Sequence, residues 1–438
     1  MAALAFLALG LASAPTHAAE ATAPAAEATA PALIARGAYL AKAADCAACH
    51  DAPDGRHFAG GAAINSPFGA IYGSNITPDP ATGIGRYSLQ DFTAALRQGV
   101  APGGKRLYPA MPYASFAKVN DDDIAALYAY FMHGVPPVAH TPPPTRLPFP
   151  FNQRWGLMFW DWAFGAPRRF EADAAHDAEW NRGAYLVQGL GHCGACHTPR
   201  GPAFEERGYD PRSRHYLTGG VNDNWFAPSL RGDQGAGLGR FSQADLAAFL
   251  KTGHGGGTIA YGAMTQAVEE SLQYLTDADA SAIAHYLKSL PAEGGGGRYQ
   301  PAAMTGPYAA SRERPMGNSA ASDDAVVVEK PGAGLYQNYC AKCHQARGEG
   351  VAGKYPALAG NPTLLGDDTT SPLRIILEGA RAPATAAGPP PKKMPGFARQ
   401  LNDLEIAQLL SYVRESWGNS AAPVTSRDVN TLRRALHR

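Results

Sequence analysis

Cys46-Ala-Ala-Cys49-His50 is the first of three related stretches, followed by Cys193-Gly-Ala-Cys196-His197 and Cys340-Ala-Lys-Cys343-His344. Together they use all six cysteines of the 438-residue chain, which leaves none for a disulfide or a separate thiol site. In each stretch the two thiols are spaced to form thioethers with the vinyl groups of a porphyrin, and the adjacent histidine can ligate its iron. The pattern therefore predicts three covalently attached c-type haems and a role in electron transfer.

Zinc binding and dithiol redox chemistry are alternative roles for these cysteine pairs, because Cys-x-x-Cys also supplies two tetrahedral ligands. A structural zinc site needs a second pair of ligands close by, and none accompanies the three motifs. The motifs start at residues 46, 193 and 340, too far apart to assume one shared site. Haem attachment is the favoured interpretation.

The composition of the chain bounds its domain count and its partners. A length of 438 residues predicts roughly two to four domains. Basic and acidic residues both number 38, so the net charge is +0 and we expect no nucleic-acid partner. Charged residues are only 17%, whereas glycine (49) and proline (36) are abundant, which favours compact, loop-rich domains around a large apolar cofactor.

Residues 1–19 are typical of a secretory signal peptide, with an apolar run over residues 2–12 and small residues up to Ala19. The run lacks a preceding basic residue, and it is too short to cross a bilayer as a retained anchor. Residues 20–31 are rich in Ala, Pro, Thr and Glu and are predicted to form a disordered spacer. Export agrees with the motifs, since bacterial c-type haem is attached outside the cytoplasm.

The three motifs lie inside a longer repeat. Arg36-Gly-Ala-Tyr-Leu precedes the first motif, Arg182-Gly-Ala-Tyr-Leu precedes the second, and the looser Gly334-Leu-Tyr-Gln-Asn-Tyr precedes the third. The chain therefore divides into three repeat units, each with its own motif.

Each unit contains further helical patterns. In the first two units, helices over 91–97 and 245–251 are predicted to end at Gly99 and Gly253, because glycine suits the C-cap. All three units close with apolar residues at i, i+3, i+4 and i+7, led by acidic residues that complement the helix dipole. These apolar residues are Ile124, Leu127, Tyr128 and Phe131, then Ile283, Tyr286, Leu287 and Leu290, then Ile406, Leu409, Leu410 and Val413. We expect each closing helix to pack on the helix that carries the motif.

One methionine in each unit, between the motif and the closing helix, is predicted to be the second axial ligand of the iron. The predicted pairs are His50 with Met111, His197 with Met264, and His344 with Met394. A thioether suits iron and raises the reduction potential, although a lone methionine is often core filler. Proline after Met111 and Met394 stiffens the loop that presents the sulfur, whereas Thr265 follows Met264. His254 is an alternative ligand, but its glycine-rich surroundings favour solvent exposure.

Two further segments have alternative interpretations. Residues 151–164 are dense in aromatic side chains and suit either a membrane-interface or quinone contact, or packing between domains. The tail from Val424 can form a basic amphipathic helix that lies on anionic lipid, packs on a partner subunit, or frays.

Several segments besides the motifs carry a family resemblance: residues 66–72, 75–86, 108–113, 128–135, 179–186 and 191–200. Over residues 32–418 the chain resembles the trihaem cytochrome c subunits of membrane-bound periplasmic alcohol, aldehyde and gluconate-type dehydrogenase complexes. The resemblance implies a mainly α fold of three tandem class I type cytochrome c-like domains joined by Pro/Gly-rich linkers. The predicted divisions are a signal peptide (1–19), a spacer (20–31), domain 1 (32–140), a linker with the aromatic segment (141–180), domain 2 (181–292), a linker (293–331), domain 3 (332–418) and a C-terminal tail (419–438).

The same resemblance implies that a separate large dehydrogenase subunit, containing pyrroloquinoline quinone, flavin or molybdopterin, performs the substrate chemistry. This chain, not an enzyme by itself, would carry three haem c groups and pass electrons to ubiquinone. It would be periplasmic and peripherally attached to the inner (cytoplasmic) membrane. In agreement, the chain contains no dinucleotide-binding fingerprint or other catalytic motif.

Two other functions remain as alternatives. The first is a free periplasmic shuttle that delivers electrons to a terminal oxidase. The second is a haem peroxidase, which needs an open iron site and is disfavoured by the candidate methionine in every unit.

Overall fold

The computed structural model describes residues 30–165, 168–301 and 330–437. The predicted signal peptide, residues 20–29 of the predicted spacer and most of the predicted linker 293–331 lie outside the described residues. Helix α1 begins at Ala30, so the last two residues of the predicted spacer are helical. Pro31 is compatible with this start, because a helix N-terminus does not need the backbone donor that proline lacks.

The fold is mainly helical, as predicted, and its helices repeat from unit to unit. The first unit contains α1 (Ala30–Ala43), α2 (Cys46–His50), α3 (Leu89–Gln98), α4 (Tyr113–Phe116) and α5 (Asp121–Ala129), and α6 (Leu157–Phe164) follows it. The second contains α7 (Ala178–Tyr185), α8 (Gly194–His197), α9 (Gln243–Thr252), α10 (Ala263–Glu270) and α11 (Asp277–Ser289). The third contains α12 (Ala333–Tyr339), α13 (Ala341–His344), α14 (Pro362–Leu365), α15 (Thr370–Glu378), α16 (Asp403–Arg414) and α17 (Ser426–Leu436). Single 3-10 turns cover Pro102–Gly104, Arg154–Gly156 and Leu272–Tyr274, and π-helical turns extend α5 and α7 over Tyr130–Gly134 and Leu186–Leu190.

The described strands are two or three residues long and form isolated antiparallel pairs. The pairs are β1 (Ala63–Ile64) with β2 (Ile71–Tyr72), β3 (Val100–Ala101) with β4 (Lys105–Arg106), β5 (Gly220–Asn222) with β6 (Trp225–Ala227), β7 (His254–Gly255) with β8 (Thr258–Ile259), β9 (Arg298–Tyr299) with β12 (Asn419–Ser420), and β10 (Gly379–Arg381) with β11 (Lys393–Pro395). They hold loops in place and contribute no layer of their own.

Local sequence explains where the middle helices begin and end. Helix α3 starts with a capping box between Ser88 and Asp91, and α9 repeats this arrangement in the second unit. Both helices end at glycines in the left-handed region, Gly99 (φ 62°) and Gly253 (φ 73°), which confirms the predicted caps.

The closing helices α5, α11 and α16 form as predicted, but they pack on a different partner. They cross α1, α7 and α12, the helices that precede the motifs, rather than the motif helices themselves. At each crossing a glycine allows backbone contact: a Cβ on Gly37, Gly183 or Gly332 would come within 2.2 Å of a carbonyl oxygen of the closing helix. In the first unit the motif helix is separate because the chain breaks at Asp45, which has a positive φ of 51°.

The first two units share one hydrophobic core, which runs from Leu40 through Leu190 to Leu290. Among the hydrogen bonds that cross between these units, two form a reciprocal pair. The Tyr39 hydroxyl donates to Asp279 Oδ2 at 2.5 Å, and the Tyr185 hydroxyl donates to Asp123 Oδ2 at 2.6 Å. Each aspartate also pairs with the arginine of its own unit, Arg36 with Asp123 and Arg182 with Asp279.

The third unit has a separate core, centred on Tyr336 and Ile406. Its contacts with the second unit are mainly polar. The Ser371 hydroxyl accepts from the Phe226 backbone N–H at 2.8 Å and donates to the Phe226 carbonyl at 2.9 Å, and Arg381 pairs with Glu269 at 2.6 Å.

The predicted C-terminal helix forms as α17 and packs on the third unit. Val429 and Leu432 are buried in the third-unit core, and Arg433 Nε donates to Asp403 Oδ1 at 2.8 Å. Its apolar side is therefore covered by its own domain.

Candidate haem-binding sites

Each cysteine pair lies on one short helical turn. Helix α2 contains the whole first motif, whereas α8 and α13 start immediately after the first cysteines of their motifs, Cys193 and Cys340. Residues three apart share a helix face, so the two thiols of a pair project to the same side, and the histidine follows directly. All six cysteines are free of disulfides.

The three motif histidines are fixed in the same way. In each, Nδ1 is within hydrogen-bond distance of a backbone carbonyl oxygen: Ser74 for His50 (2.7 Å), Pro228 for His197 (2.7 Å) and Pro356 for His344 (3.0 Å). The histidine carbonyl itself accepts from a glycine N–H, at Gly60 (2.6 Å), Gly219 (2.7 Å) and Gly350 (3.0 Å). A carbonyl acceptor places the proton of a neutral imidazole on Nδ1, which leaves Nε2 free to bind a metal.

Burial controls the protonation of these groups. It raises the pKa of one thiol in each motif, Cys46, Cys193 and Cys340, to about 12. It also lowers the pKa of all three motif histidines, although each carbonyl acceptor opposes this. The histidines are therefore neutral at physiological pH, as an iron ligand must be.

The predicted methionine ligands are partly buried, and their local structure differs from unit to unit. Met111 immediately precedes the Pro112 cap of α4, and Met394 lies in β11 opposite Ala380. Met264 lies in the first turn of α10 instead of in an extended loop. The reason is Thr265, whose N–H donates to the Gly262 carbonyl at 3.1 Å, a bond that a proline at this position would prevent.

The alternative ligand His254 is half-buried in β7, so the expectation that it is solvent-exposed is wrong. Its Nε2 is buried and has no hydrogen-bond partner among the described residues. His254 lies opposite Ile259 in the strand pair β7–β8, where the glycine-rich segment turns back on itself.

The residues of the motifs fit a covalently attached haem. Within residues 30–165, 168–301 and 330–437, no three His, Cys, Asp or Glu side chains cluster as a metal site. Near the second motif, Arg200 has a buried Nε without a partner in the described part of the chain. Its charge partly offsets the rise in the pKa of Cys196 that burial causes, which places it beside the motif. A buried cationic donor of this kind suits a porphyrin carboxylate.

The structure brings the first and second motifs close together. The Cys196 thiol is near enough to Cys49 to contribute to the raised pKa of Cys49, after burial and Asp45. Helix α10, which carries Met264, packs beside the first motif helix α2.

The second and third sites approach each other through their methionine segments. The Thr265 hydroxyl donates to the Arg381 carbonyl at 3.2 Å. Thr265 directly follows Met264, and Arg381 directly follows Ala380, which is the strand partner of Met394. The second unit therefore contacts both of the others.

The repeated Arg-Gly-Ala-Tyr segments are visible in the sequence, but their contacts are not. Tyr39 and Tyr185 bind Asp279 and Asp123, which belong to the acidic starts of the closing helices. A clue was present, because both the tyrosine and the aspartate recur in the first two units and the tyrosine position differs in the third.

Comparison with known proteins agrees with this architecture. The family model described as cytochrome c matches residues 34–134, 181–291 and 329–417, one range in each repeat unit. The chain belongs to the cytochrome c family. It is thus a protein of electron-transfer type, with covalently bound haem implied by the family.

Relatives are similar over nearly the whole chain. The cytochrome c subunit of alcohol dehydrogenase (quinone) from Gluconacetobacter polyoxogenes is 44% identical over 408 residues, 92% of this chain and 84% of the relative. The gluconate 2-dehydrogenase cytochrome c subunit of Pantoea cypripedii is 44% identical over 415 residues, 92% of this chain and 90% of the relative. The fructose dehydrogenase cytochrome subunit of Gluconobacter japonicus is 41% identical over 422 residues, 91% of this chain and 82% of the relative.

Proposed function

We propose that the chain is the electron-transfer subunit of a periplasmic dehydrogenase complex and that it relays electrons through three haem c groups to membrane ubiquinone. The observation that carries this proposal is the threefold recurrence of one geometry. In every unit a cysteine pair precedes a histidine whose Nδ1 faces a backbone carbonyl. Relatives that are 41–44% identical over more than 90% of this chain are named as cytochrome subunits of alcohol, gluconate and fructose dehydrogenases.

In this proposal each unit holds one haem through its two cysteines, with the histidine and one methionine as axial ligands. His50, His197 and His344 would use Nε2, and Met111, Met264 and Met394 would provide the sulfur opposite. The bound haem supplies reversible one-electron chemistry at iron. The protein fixes the imidazole through the carbonyl acceptor.

The arrangement of the sites supports a linear relay with the second haem in the middle. The first and second motifs are neighbours through Cys49 and Cys196, and the second and third units meet at the Thr265–Arg381 contact. Electrons that cross the whole chain would therefore pass through the second unit.

The proposed partner is a large dehydrogenase subunit of pyrroloquinoline quinone, flavin or molybdopterin type, and the proposed location is the periplasmic side of the inner membrane. The relatives' names support a dehydrogenase partner. Among the described residues no helix is both long and apolar enough to span a bilayer, so the proposed attachment is peripheral.

The test is to purify the tagged full-length chain from its native host and assay substrate-dependent ubiquinone reduction. A large dehydrogenase subunit should co-purify, and quinone reduction should fall strongly in Met264→Leu, because the central haem would lose a ligand and every electron must pass it. Met132→Leu, a methionine packed on the first-unit core, is the matched control and should change little.

Three results would contradict the proposal. The first is purification without any dehydrogenase subunit, together with direct reduction of an oxidase by the chain. The second is peroxide turnover by the wild-type chain, and the third is an unchanged haem spectrum in Met264→Leu.

A further inference from the structure

The aromatic segment between the first and second units exposes a row of large apolar side chains. Trp155, Met158, Phe159 and Trp162 follow i, i+3, i+4 and i+7 spacing and therefore share one face of α6 and its preceding turn. Trp162 is 86% exposed, Trp155 66% and Phe159 57%. Phe149 and Phe151, just before this helix, are exposed as well.

The polarity of α6 is inverted relative to a helix on a water-exposed surface. Its one charged residue, Asp161, faces the protein, where it accepts from Tyr113 Oη at 2.6 Å and pairs with Arg106. A soluble helix normally turns its charged side to solvent and its apolar side to the core. The outward face of α6 is thus built for an environment other than water.

The chain around this face is strongly basic. Between residues 135 and 170 there are four arginines, Arg146, Arg154, Arg168 and Arg169, and Asp161 is the one acidic residue; Arg169 pairs with Asp121, which lies outside this range. The facing segment 99–118 adds Lys105 and Arg106 and contains no acidic residue, whereas its Lys118 is buried and pairs with Asp210 of the second unit. The whole chain has equal numbers of basic and acidic residues, so this excess is local. An aromatic face with a basic surround complements the interface of an anionic bilayer.

This helix is tied to the first haem site. The Tyr108 hydroxyl donates to the Phe151 carbonyl at 3.1 Å, and the Arg154 guanidinium lies 4.1 Å from the centre of the Tyr108 ring. Tyr108 and Tyr113 flank the segment that presents Met111. On the other side, Trp160 Nε1 donates to the Ala203 carbonyl of the second unit at 2.9 Å.

We infer that the outward face of α6 is the membrane-contacting surface of this protein and that it inserts its aromatic side chains among lipid headgroups. The inference names the surface for the peripheral attachment contained in the proposed function. The tail helix α17 is not that surface, because its apolar residues Val429 and Leu432 are buried in the third unit. The first haem site, through the Met111 segment, is then the site nearest to the lipid.

The test is a sedimentation assay with the full-length haem-loaded protein and two kinds of vesicle, phosphatidylcholine alone and phosphatidylcholine mixed equally with phosphatidylglycerol. Trp155→Ser combined with Trp162→Ser should lower partitioning into the mixed vesicles by about tenfold or more, since two large apolar side chains no longer leave water. Arg146→Gln with Arg168→Gln should reduce the preference for phosphatidylglycerol and the sensitivity to salt.

Two control variants show whether vesicle binding depends on this surface or on exposed apolar residues and basic charge elsewhere in the protein. Leu404→Ser with Val221→Ser removes side chains that are 58% and 43% exposed in other units and should leave partitioning unchanged. Arg427→Gln with Arg434→Gln removes charge from α17 and should also have no effect.

The inference is overturned if the wild-type protein binds neither vesicle, or if the double tryptophan variant binds as the wild type does. It is also overturned if that variant keeps its vesicle binding but loses a co-purifying dehydrogenase subunit, because the face would then be a protein interface. Haem content and reduction by the dehydrogenase are measured in the same samples, so a failed electron relay is distinguished from a failed membrane contact.

Discussion

The first two repeat units and the third bury their apolar side chains in different ways. Units one and two share a core and exchange hydrogen bonds, with Tyr39 reaching Asp279 and Tyr185 reaching Asp123. The third unit has Gly334 two residues after its helix-crossing glycine, where the others have tyrosine, and it encloses its own core with α17. A small change in a repeated segment therefore accompanies the change from a fused pair to a separate domain.

The interfaces differ in chemistry as well as in extent. Between units one and two, aliphatic and aromatic side chains form a continuous core. Between units two and three, the contacts are backbone hydrogen bonds, a serine hydroxyl and ion pairs such as Arg381 with Glu269. We therefore expect the pair to unfold as one cooperative unit and the third unit to unfold separately.

The largest expected effect comes from matched core truncations. Leu190→Ala, fully buried between the first two units, should lower the free energy of unfolding of the pair by about 2–5 kcal/mol. Ile406→Ala, also fully buried, should lower that of the third unit by a similar amount. Hydrogen exchange by mass spectrometry, read separately for each unit, measures both. Loss of protection in all three units from either variant would contradict the separation.

A smaller effect is expected from the reciprocal hydrogen bonds. Tyr39→Phe and Tyr185→Phe each remove one hydrogen-bond donor from a buried aspartate. Each should lower the free energy of unfolding of the first two units by about 1–3 kcal/mol, without affecting the third unit. Tyr336→Phe is the control, because its hydroxyl donates to the Gln345 carbonyl inside the third unit at 2.6 Å. Urea unfolding with a probe in each unit tests this. Equal effects of all three variants on every unit would refute the pairing role.

The pH dependence of the pair follows from Asp279. Burial raises the pKa of Asp279, but hydrogen bonds from Arg182 and Tyr39 outweigh it and leave the pKa below its usual value. The stabilisation is therefore complete above the unfolded value of about 3.9 and is lost as the pH falls through the folded value. Asp279→Asn should be less stable than the wild type at pH 7, and the difference should shrink in acid. A difference that stays constant down to pH 2 would contradict this.

The smallest effect is expected at the boundary between the second and third units. Arg381→Gln breaks the ion pair with Glu269, in which the arginine is half exposed. It should lower the free energy of unfolding by less than about 1 kcal/mol. It should leave both cores intact and speed proteolysis only at the junction between these units. Cooperative destabilisation of either core would show that the two regions are more tightly coupled than their contacts indicate.

The sequence predicted those parts of the fold that depend on short-range signals. The caps at Gly99 and Gly253 and the three closing helices were readable because spacing and capping residues lie within a few positions of each other. The pairing of the first two units was not readable, since Tyr39 and Asp279 are far apart in the chain. The carbonyl acceptors of the histidines could not be predicted for a different reason, because a backbone oxygen has no side-chain signature in the sequence.

The position of Met264 shows that the local backbone conformation of a single turn was also not predicted from the sequence. Met264 lies in a helical turn in which the Thr265 N–H, which a proline would lack, donates to the Gly262 carbonyl. The composition of α6 does not determine whether the helix is exposed, because aromatic residues are equally suited to cores and to membrane interfaces.

The most direct test of the central claim is the intact mass of the mature protein under denaturing conditions. Covalent attachment at all three motifs predicts a mass increase equal to three haem groups, reduced by one group in each of the variants Cys46→Ala with Cys49→Ala, Cys193→Ala with Cys196→Ala, and Cys340→Ala with Cys343→Ala. A wild-type mass with fewer than three haems, or cysteines that hold chelator-extractable zinc, would contradict it.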